Sequence, residues 1–349
     1  MREKSKRKRK ISKSTIRVLV FAGLTLLTLG IVVHFTFSKE TVSALRSFHP
    51  LYLLVLFGIW MVSFGLDAAS FGFYTRGTDE RLKFGAAIRA AAFRVFFNLI
   101  TPFGFGGQPF VIYFLQREGV PPGKGSSIVL IKLIVVSSYV FFGAIAGFVF
   151  FHTHIENAEV LNVFFYATAA IQVAFIALIV AGILRPRIVI RLLTALGRLG
   201  HRFGIVKNPG RFRHQLVHEV YLAKSSFKRY FRQHLFSFFM GTLCIGVIYT
   251  VEVITLWVIF LGLGVRLPFS TGIALGSLFL FLLSFLPTPG AAGLGEGAFV
   301  VLFSSVVPYY LLGVAVILWR LFYNYLTSIL GAIFSSRHFS RLIIGPSED

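Results

Sequence analysis

Long apolar runs separated by short polar intervals dominate the chain from Ile16 onward. Six of them, 16–37, 51–72, 127–151, 160–184, 235–261 and 309–333, reach the ~20 residues that a helix rising about 1.5 Å per residue needs to cross ~30 Å of hydrocarbon. The first is too long for the core of a secretory signal, and no small-residue cleavage site follows it, so it reads as a retained span. Two further apolar regions, 84–115 and 269–307, carry Pro/Gly punctuation in their middles: "NLITPFGFGGQP" at 98–109 and "LPTPGAAGLGEG" at 286–297. Each is long enough for two short helices on either side of a break. Pro and Gly ordinarily mark surface turns. Inside hydrocarbon a broken backbone leaves N–H and C=O groups that cost several kcal/mol each unless protein buries them or water reaches them. The pattern predicts an all-α polytopic membrane protein with about eight hydrophobic regions: about six full spans and two broken, re-entrant helical hairpins.

Composition agrees, since 56% of the 349 residues are hydrophobic and only 14% are charged, against roughly a quarter charged in soluble domains. The net charge of +22 is concentrated. Residues 2–13 carry eight Lys or Arg against one Glu, and 185–234 carry twelve against Glu219. In a membrane protein such runs mark the cytoplasmic side and touch anionic lipid rather than nucleic acid. With the N-terminal tail inside, loop 73–83 (Arg76, Arg81, Lys83) falls inside, the Lys- and Arg-free loop 152–159 outside, and 185–234 and the C-terminal tail inside. These assignments agree only if each broken region enters and leaves on one side. Both termini are then cytoplasmic.

That topology has internal symmetry. Span, span, dipping hairpin and span describe residues 16–151, and the same order from the opposite side describes 160–333. Thr101-Pro102 precedes Gly106 as Thr288-Pro289 precedes Gly293, the Gly lying five residues after the Thr in both. The expected organisation is a basic tail at 1–15, inverted repeats at 16–151 and 160–333, the second including the 185–234 connection, and a tail at 334–349. Inverted repeats with broken helices near the midplane are a transporter architecture. Within the connection, Phe212, Leu216, Val220, Phe227 and Phe231 recur near helical spacing among basic residues, predicting an interfacial amphipathic helix from Arg211 to Arg232. Arg211, Arg213, Lys228 and Arg229 are its candidate lipid-surface cations.

Charged residues inside apolar surroundings cost about 2.5–3.5 kcal/mol or more unless paired or hydrated. Arg89, Arg94, Lys132, Glu252, Glu296 and Arg320 are such residues. Arg89 and Lys132 can snorkel to an interface, and Asp67 is expected at the cytoplasmic interface. Glu296 and Arg320 adjoin the second break and are expected to pair, either as structural glue or as part of a headgroup site. Arg320 and Asn324 share a helix face at i, i+4 spacing. Asn98 and Gln108 flank the first break. Helix ends at the breaks would aim their dipoles into one central cavity.

No nucleotide loop, nucleophile motif or useful carboxylate pair appears, and the roughly 16 residues after the last span lead us to expect no soluble catalytic domain. The single Cys244 excludes a disulfide framework, and His152 and His154 lack a third ligand, so neither metal nor cofactor is expected.

"FNLITPFGFGGQPFVIYFLQREGV", "LPTPGAAGLGEGAFVVLF" and the downstream "ILWRLFYNYLTSILG" resemble the flippase-like family named after the transmembrane region of lysylphosphatidylglycerol synthase. The resemblance implies functional roles for Asn98, Thr101, Pro102, Gly106, Gly107 and Pro109, and for Pro287, Pro289, Gly290, Gly293, Glu296 and Arg320. The chain departs from the family pattern at Ala291 and Ala292, where a Gly is common, and at Lys132. In bifunctional members a soluble domain aminoacylates phosphatidylglycerol and the membrane region moves the product between leaflets. The resemblance therefore implies a stand-alone translocator without enzymatic activity, in a bacterial or archaeal plasma membrane. Its partners would be membrane lipids, anionic or lipid-linked, with a separate synthase or partner protein left open and no nucleic acid. The alternatives are an intramembrane enzyme acting on a lipid-linked substrate and a non-transporting assembly or regulatory protein.

Overall fold

A computed structural model describes residues 48–101, 104, 106–152, 159–202 and 208–344. The run 16–37, Pro102 and most of the loop 152–159 lie outside the described residues, as does the basic tail. Among the described residues all regular structure is helical. In chain order the helices are α1 Pro50–Arg76, α2 Phe84–Leu99, α3 Gly107–Arg117, α4 Pro122–His152, α5 Glu159–Leu184, α6 Pro186–Arg202, α7 Pro209–Arg232, α8 Leu235–Gly262, α9 Phe269–Leu283, α10 Leu294–Phe303, α11 Tyr309–Arg320 and α12 Leu326–Ile344. Four of them open on a proline, whose missing N–H is one that a helix start leaves unpaired anyway.

Among the described residues, five segments are long and apolar enough to cross a membrane: α1, α4, α5 from Phe165, α8, and the run Tyr309–Ser335. The chain is an all-α polytopic membrane protein. Protein leaves much of its apolar surface uncovered, as a lipid-facing surface requires: Leu54 in α1, Val163 and Leu178 in α5 are 69%, 70% and 71% exposed. Helix α5 buries only 11% of its apolar window and is therefore peripheral.

Both broken regions form two short helices around a break, as the sequence predicts. The element order of long helix, broken pair and long helix thus occurs twice, in α1–α4 and in α8–α12. The packing also exchanges between the halves. Helix α1 packs on its counterpart α8, α2 packs on α12, and α9 packs on α4. Gly331 lets α12 reach α2: a Cβ there would lie 2.5 Å from the Ala92 carbonyl oxygen and 2.6 Å from Phe96 Cβ. The core has two clusters, a Phe-rich one around Phe279, Phe299, Phe303 and Trp319 and a second around Phe71, Tyr74, Phe93 and Phe114.

Three boundaries differ from the sequence reading. The expected 309–333 span is interrupted by a π-helical turn at Leu321–Tyr325. An i→i+5 turn inserts one residue and leaves no Pro or Gly signature. Helix α12 then continues to Ile344, into the expected 334–349 tail. The connection 185–234 contains two helices rather than one. Helix α7 covers the predicted amphipathic segment, whereas α6 was not foreseen; its apolar Ile188, Leu192, Leu196 and Leu199 are exposed. Helix α7 is docked on protein, with Phe227 and Tyr230 buried. Tyr230 donates to the Tyr74 carbonyl, and Glu219 accepts from the Gly123 N–H at the start of α4 at 2.5 Å.

Candidate functional site

The first break is closed by its own side chains. Thr101 Oγ1 donates to the Phe97 carbonyl at 2.7 Å and accepts from the Gly106 N–H at 2.9 Å. Asn98 Oδ1 accepts from the Gly107 N–H at 3.0 Å, capping α3. Glycine at 107 is a steric requirement, because a Cβ would lie 2.2 Å from Asn98 Oδ1 and 2.5 Å from the Arg94 carbonyl oxygen.

The second break is closed by long-range charge. The chain leaves α9, makes a 3-10 turn at Pro289–Ala291 and enters α10 through Gly290, Ala291 and Gly293, with φ of 57°, 55° and 83°. Left-handed φ is free for glycine but unfavourable for alanine, and Ala291 adopts it without that freedom. Arg320 holds this turn. Its Nε and Nη2 each lie 2.8 Å from an oxygen of the Glu296 carboxylate, Nη1 donates to the Gly290 carbonyl at 2.7 Å, and Nη2 donates to the Ala291 carbonyl at 3.0 Å. Glu296 Oε2 also accepts from the Gly293 N–H at 2.8 Å, capping α10. Glu296 is 0% and Arg320 2% exposed, and the guanidinium lies over the Trp319 ring. Equivalent Gly N–H groups five residues after a Thr are therefore capped differently, by Thr101 in one break and by Glu296 in the other.

The two breaks touch. A Cβ on Gly290 would lie 2.5 Å from Leu99 Cδ1. Beside this contact lies a cavity of about 280 Å³. Of the residues expected to line it, Asn98, Gly290, Arg320 and Asn324 do so. Thr101, Gly106, Gly107, Gln108, Pro109, Pro287, Pro289, Gly293 and Glu296 are not among its lining residues. Thr101, the glycines and Glu296 are used in building the turns, while Pro109 and Pro287 are exposed.

The cavity wall holds charges delivered by separate helices. Asp67 is buried rather than at an interface, and Lys132 does not snorkel. Asp67 Oδ1 accepts from Lys132 Nζ at 2.5 Å and Oδ2 from Arg94 Nη2 at 3.0 Å, joining α1, α4 and α2. Lys132 also donates to Ser70 Oγ at 2.7 Å and lies over the Phe71 ring. Asp67, Arg94 and Glu252 all line the cavity, as do Tyr249 and Tyr323. Among the buried polar atoms of lining residues, Arg94 Nε, Thr288 Oγ1 and Trp319 Nε1 are without a hydrogen-bond partner. Spacing could not have revealed the Asp67–Arg94–Lys132 cluster, because three separate helices supply it. The available signal was charge conservation of cost, since three ionised groups in apolar runs favour finding one another.

Of the lipid-surface cations, Arg211, Arg213 and Lys228 are exposed. Arg229 is exposed as well, but it pairs with Asp79, which His234 also contacts.

The sequence model of the family described as the lysylphosphatidylglycerol synthase TM region matches residues 14–331. The chain belongs to this family. The match covers both breaks, the Asp67 cluster and Arg320. No curated protein matches the chain significantly.

Proposed function

We propose that this member of the lysylphosphatidylglycerol synthase TM region family moves a membrane lipid between leaflets. The polar headgroup crosses through the cavity between the two breaks while the acyl chains stay in the bilayer. One observation carries the reading: buried, unpaired polar atoms of Arg94, Thr288 and Trp319 gather around one cavity bordered by the two breaks and by membrane-crossing helices. Native proteins rarely leave buried polar atoms unpaired. A dry packing defect would be lined by apolar groups, whereas a polar-lined cavity among spans suits a headgroup or its water. The exposed cations Arg211, Arg213 and Lys228 gather anionic lipid at the leaflet they face.

In this reading the chain performs no covalent chemistry and sits in a plasma membrane with its basic segments in the cytoplasm. The odd number of crossings in the first half, hairpin excluded, inverts the second half, and alternating access comes from one half rocking on the other. The test is reconstitution of purified protein in liposomes containing labelled aminoacylated, anionic or polyprenyl-linked lipid. Protein vesicles should expose one labelled lipid class to an impermeant quencher faster than empty vesicles. Equal rates for all three classes would overturn the reading, and a modified lipid formed in detergent would replace it with the enzymatic alternative. Orientation is tested separately in a Cys244→Ala background. A cysteine introduced at 155 should react with an impermeant reagent from outside the cell, and reaction only after lysis would refute the assignment.

A further inference from the structure

Glu252 sits in the middle of α8 and lines both the main cavity and a smaller adjoining one of about 60 Å³. Among the described residues its carboxylate has no hydrogen bond or ion pair with another side chain, although it shares both cavities with Arg94 and Asp67. Asp67 is already committed, with one oxygen on Lys132 and the other on Arg94. Arg94 is half-committed: Nη2 donates to Asp67, and its Nε–H is buried without an acceptor. The charged and titratable groups that line these cavities with it are therefore Arg94 from α2, Asp67 from α1, Tyr249 on α8 itself, Tyr323 from the π turn, and Arg320, which Glu296 occupies; Lys132 from α4 stands behind Asp67, paired with its other oxygen. Arg94 is the cation that still has donor capacity for Glu252, and that capacity also faces the cavity.

We propose that Glu252 is a proton carrier that couples headgroup movement to proton movement; this rests on the transport reading above. An ionised carboxylate in such a cavity is tolerated if a cation neutralises it, and otherwise it binds a proton. With the site empty of ligand, Glu252 shares the field of Arg94. An anionic headgroup takes the free N–H of Arg94, and Glu252 loses its counter-charge. A carboxylate oxygen of Glu252 then takes one proton from water on the side the cavity faces. The headgroup and the proton cross together, and the Glu252 O–H bond breaks when the headgroup leaves Arg94 on the other side. One monoanionic headgroup and one proton move per cycle, so no net charge crosses.

The test uses purified full-length protein in liposomes of zwitterionic lipid with labelled phosphatidylglycerol and an entrapped pH dye. Lipid transfer should change luminal pH by one proton per lipid. An imposed gradient of one pH unit should sustain about a tenfold lipid asymmetry, the equivalent of that gradient at one-to-one coupling. Glu252→Gln should abolish the pH change per lipid moved. Wild-type transfer without a pH change or asymmetry overturns the coupling and leaves transport standing; so does a pH response retained in Glu252→Gln. If no lipid moves, the transport reading fails, and infrared difference spectra of the solubilised protein judge the proton site. Addition of glycerol 3-phosphate should then raise a protonated-carboxyl band that Glu252→Gln lacks. Absence of that band overturns the proposal.

Discussion

Removal of Arg320 should unfold the second break, and the magnitude follows from its partners. Arg320→Ala deletes four contacts: two to the Glu296 carboxylate and one each to the carbonyls of Gly290 and Ala291. Hydrogen bonds between membrane helices average only ~0.6 kcal/mol each, because the unfolded chain in lipid also finds partners. Those four contacts account for roughly 2–3 kcal/mol. The larger effect is electrostatic. Glu296 is fully buried, and removing one partner of a buried ion pair typically costs about 3–5 kcal/mol. Arg320→Ala should therefore lose about 4–6 kcal/mol, a large part of the ~5–15 kcal/mol that holds most folded proteins together. Arg320→Ala combined with Glu296→Gln removes the stranded charge and keeps an amide oxygen to cap Gly293, so it should lose only about 2–3 kcal/mol. At roughly 2 °C per kcal/mol for a large chain, thermal unfolding in detergent should fall by about 8–12 °C in the single variant and about 4–6 °C in the double. A double variant no more stable than Arg320→Ala would refute the argument that the uncompensated Glu296 dominates.

The same melting assay tests packing and caps. Gly331→Ala should lose about 1–3 kcal/mol, since its methyl would lie 2.5 Å from the Ala92 carbonyl oxygen; Gly58→Ala, with nothing within 4 Å of its Cβ, should be neutral or up to about 1 kcal/mol stabilising. Thr101→Val removes the acceptor for the Gly106 N–H and should cost about 1 kcal/mol, with Thr101→Ser recovering most of it. Lys132→Met should be strongly destabilising because it leaves the buried Asp67 with Arg94 alone. Adding Asp67→Asn should recover part of that loss, and no recovery would mean that the two residues are not energetically paired.

The sequence by itself determined where the chain can lie in hydrocarbon and where it must break. Apolar run length and the placement of Pro and Gly are local properties, and both breaks fell where "NLITPFGFGGQP" and "LPTPGAAGLGEG" predicted. The Glu296–Arg320 pair was legible because each residue alone is too costly in lipid. Helix α6 has the weaker signal, leucines recurring among Arg187, Arg191 and Arg198, beside the stronger aromatic pattern of α7. Tertiary structure alone decided which polar groups are spent on turns and which face the cavity. Thr101 and Glu296 look alike in sequence as intramembrane polar residues, yet both are consumed capping helix starts. Asp67, Arg94 and Lys132 are separated by 27 and 38 positions (94 − 67 and 132 − 94), a spacing that no helical period connects. Only the docking of α1, α2 and α4 brings them together, because in hydrocarbon an ionised side chain is stable where another helix delivers its counter-charge.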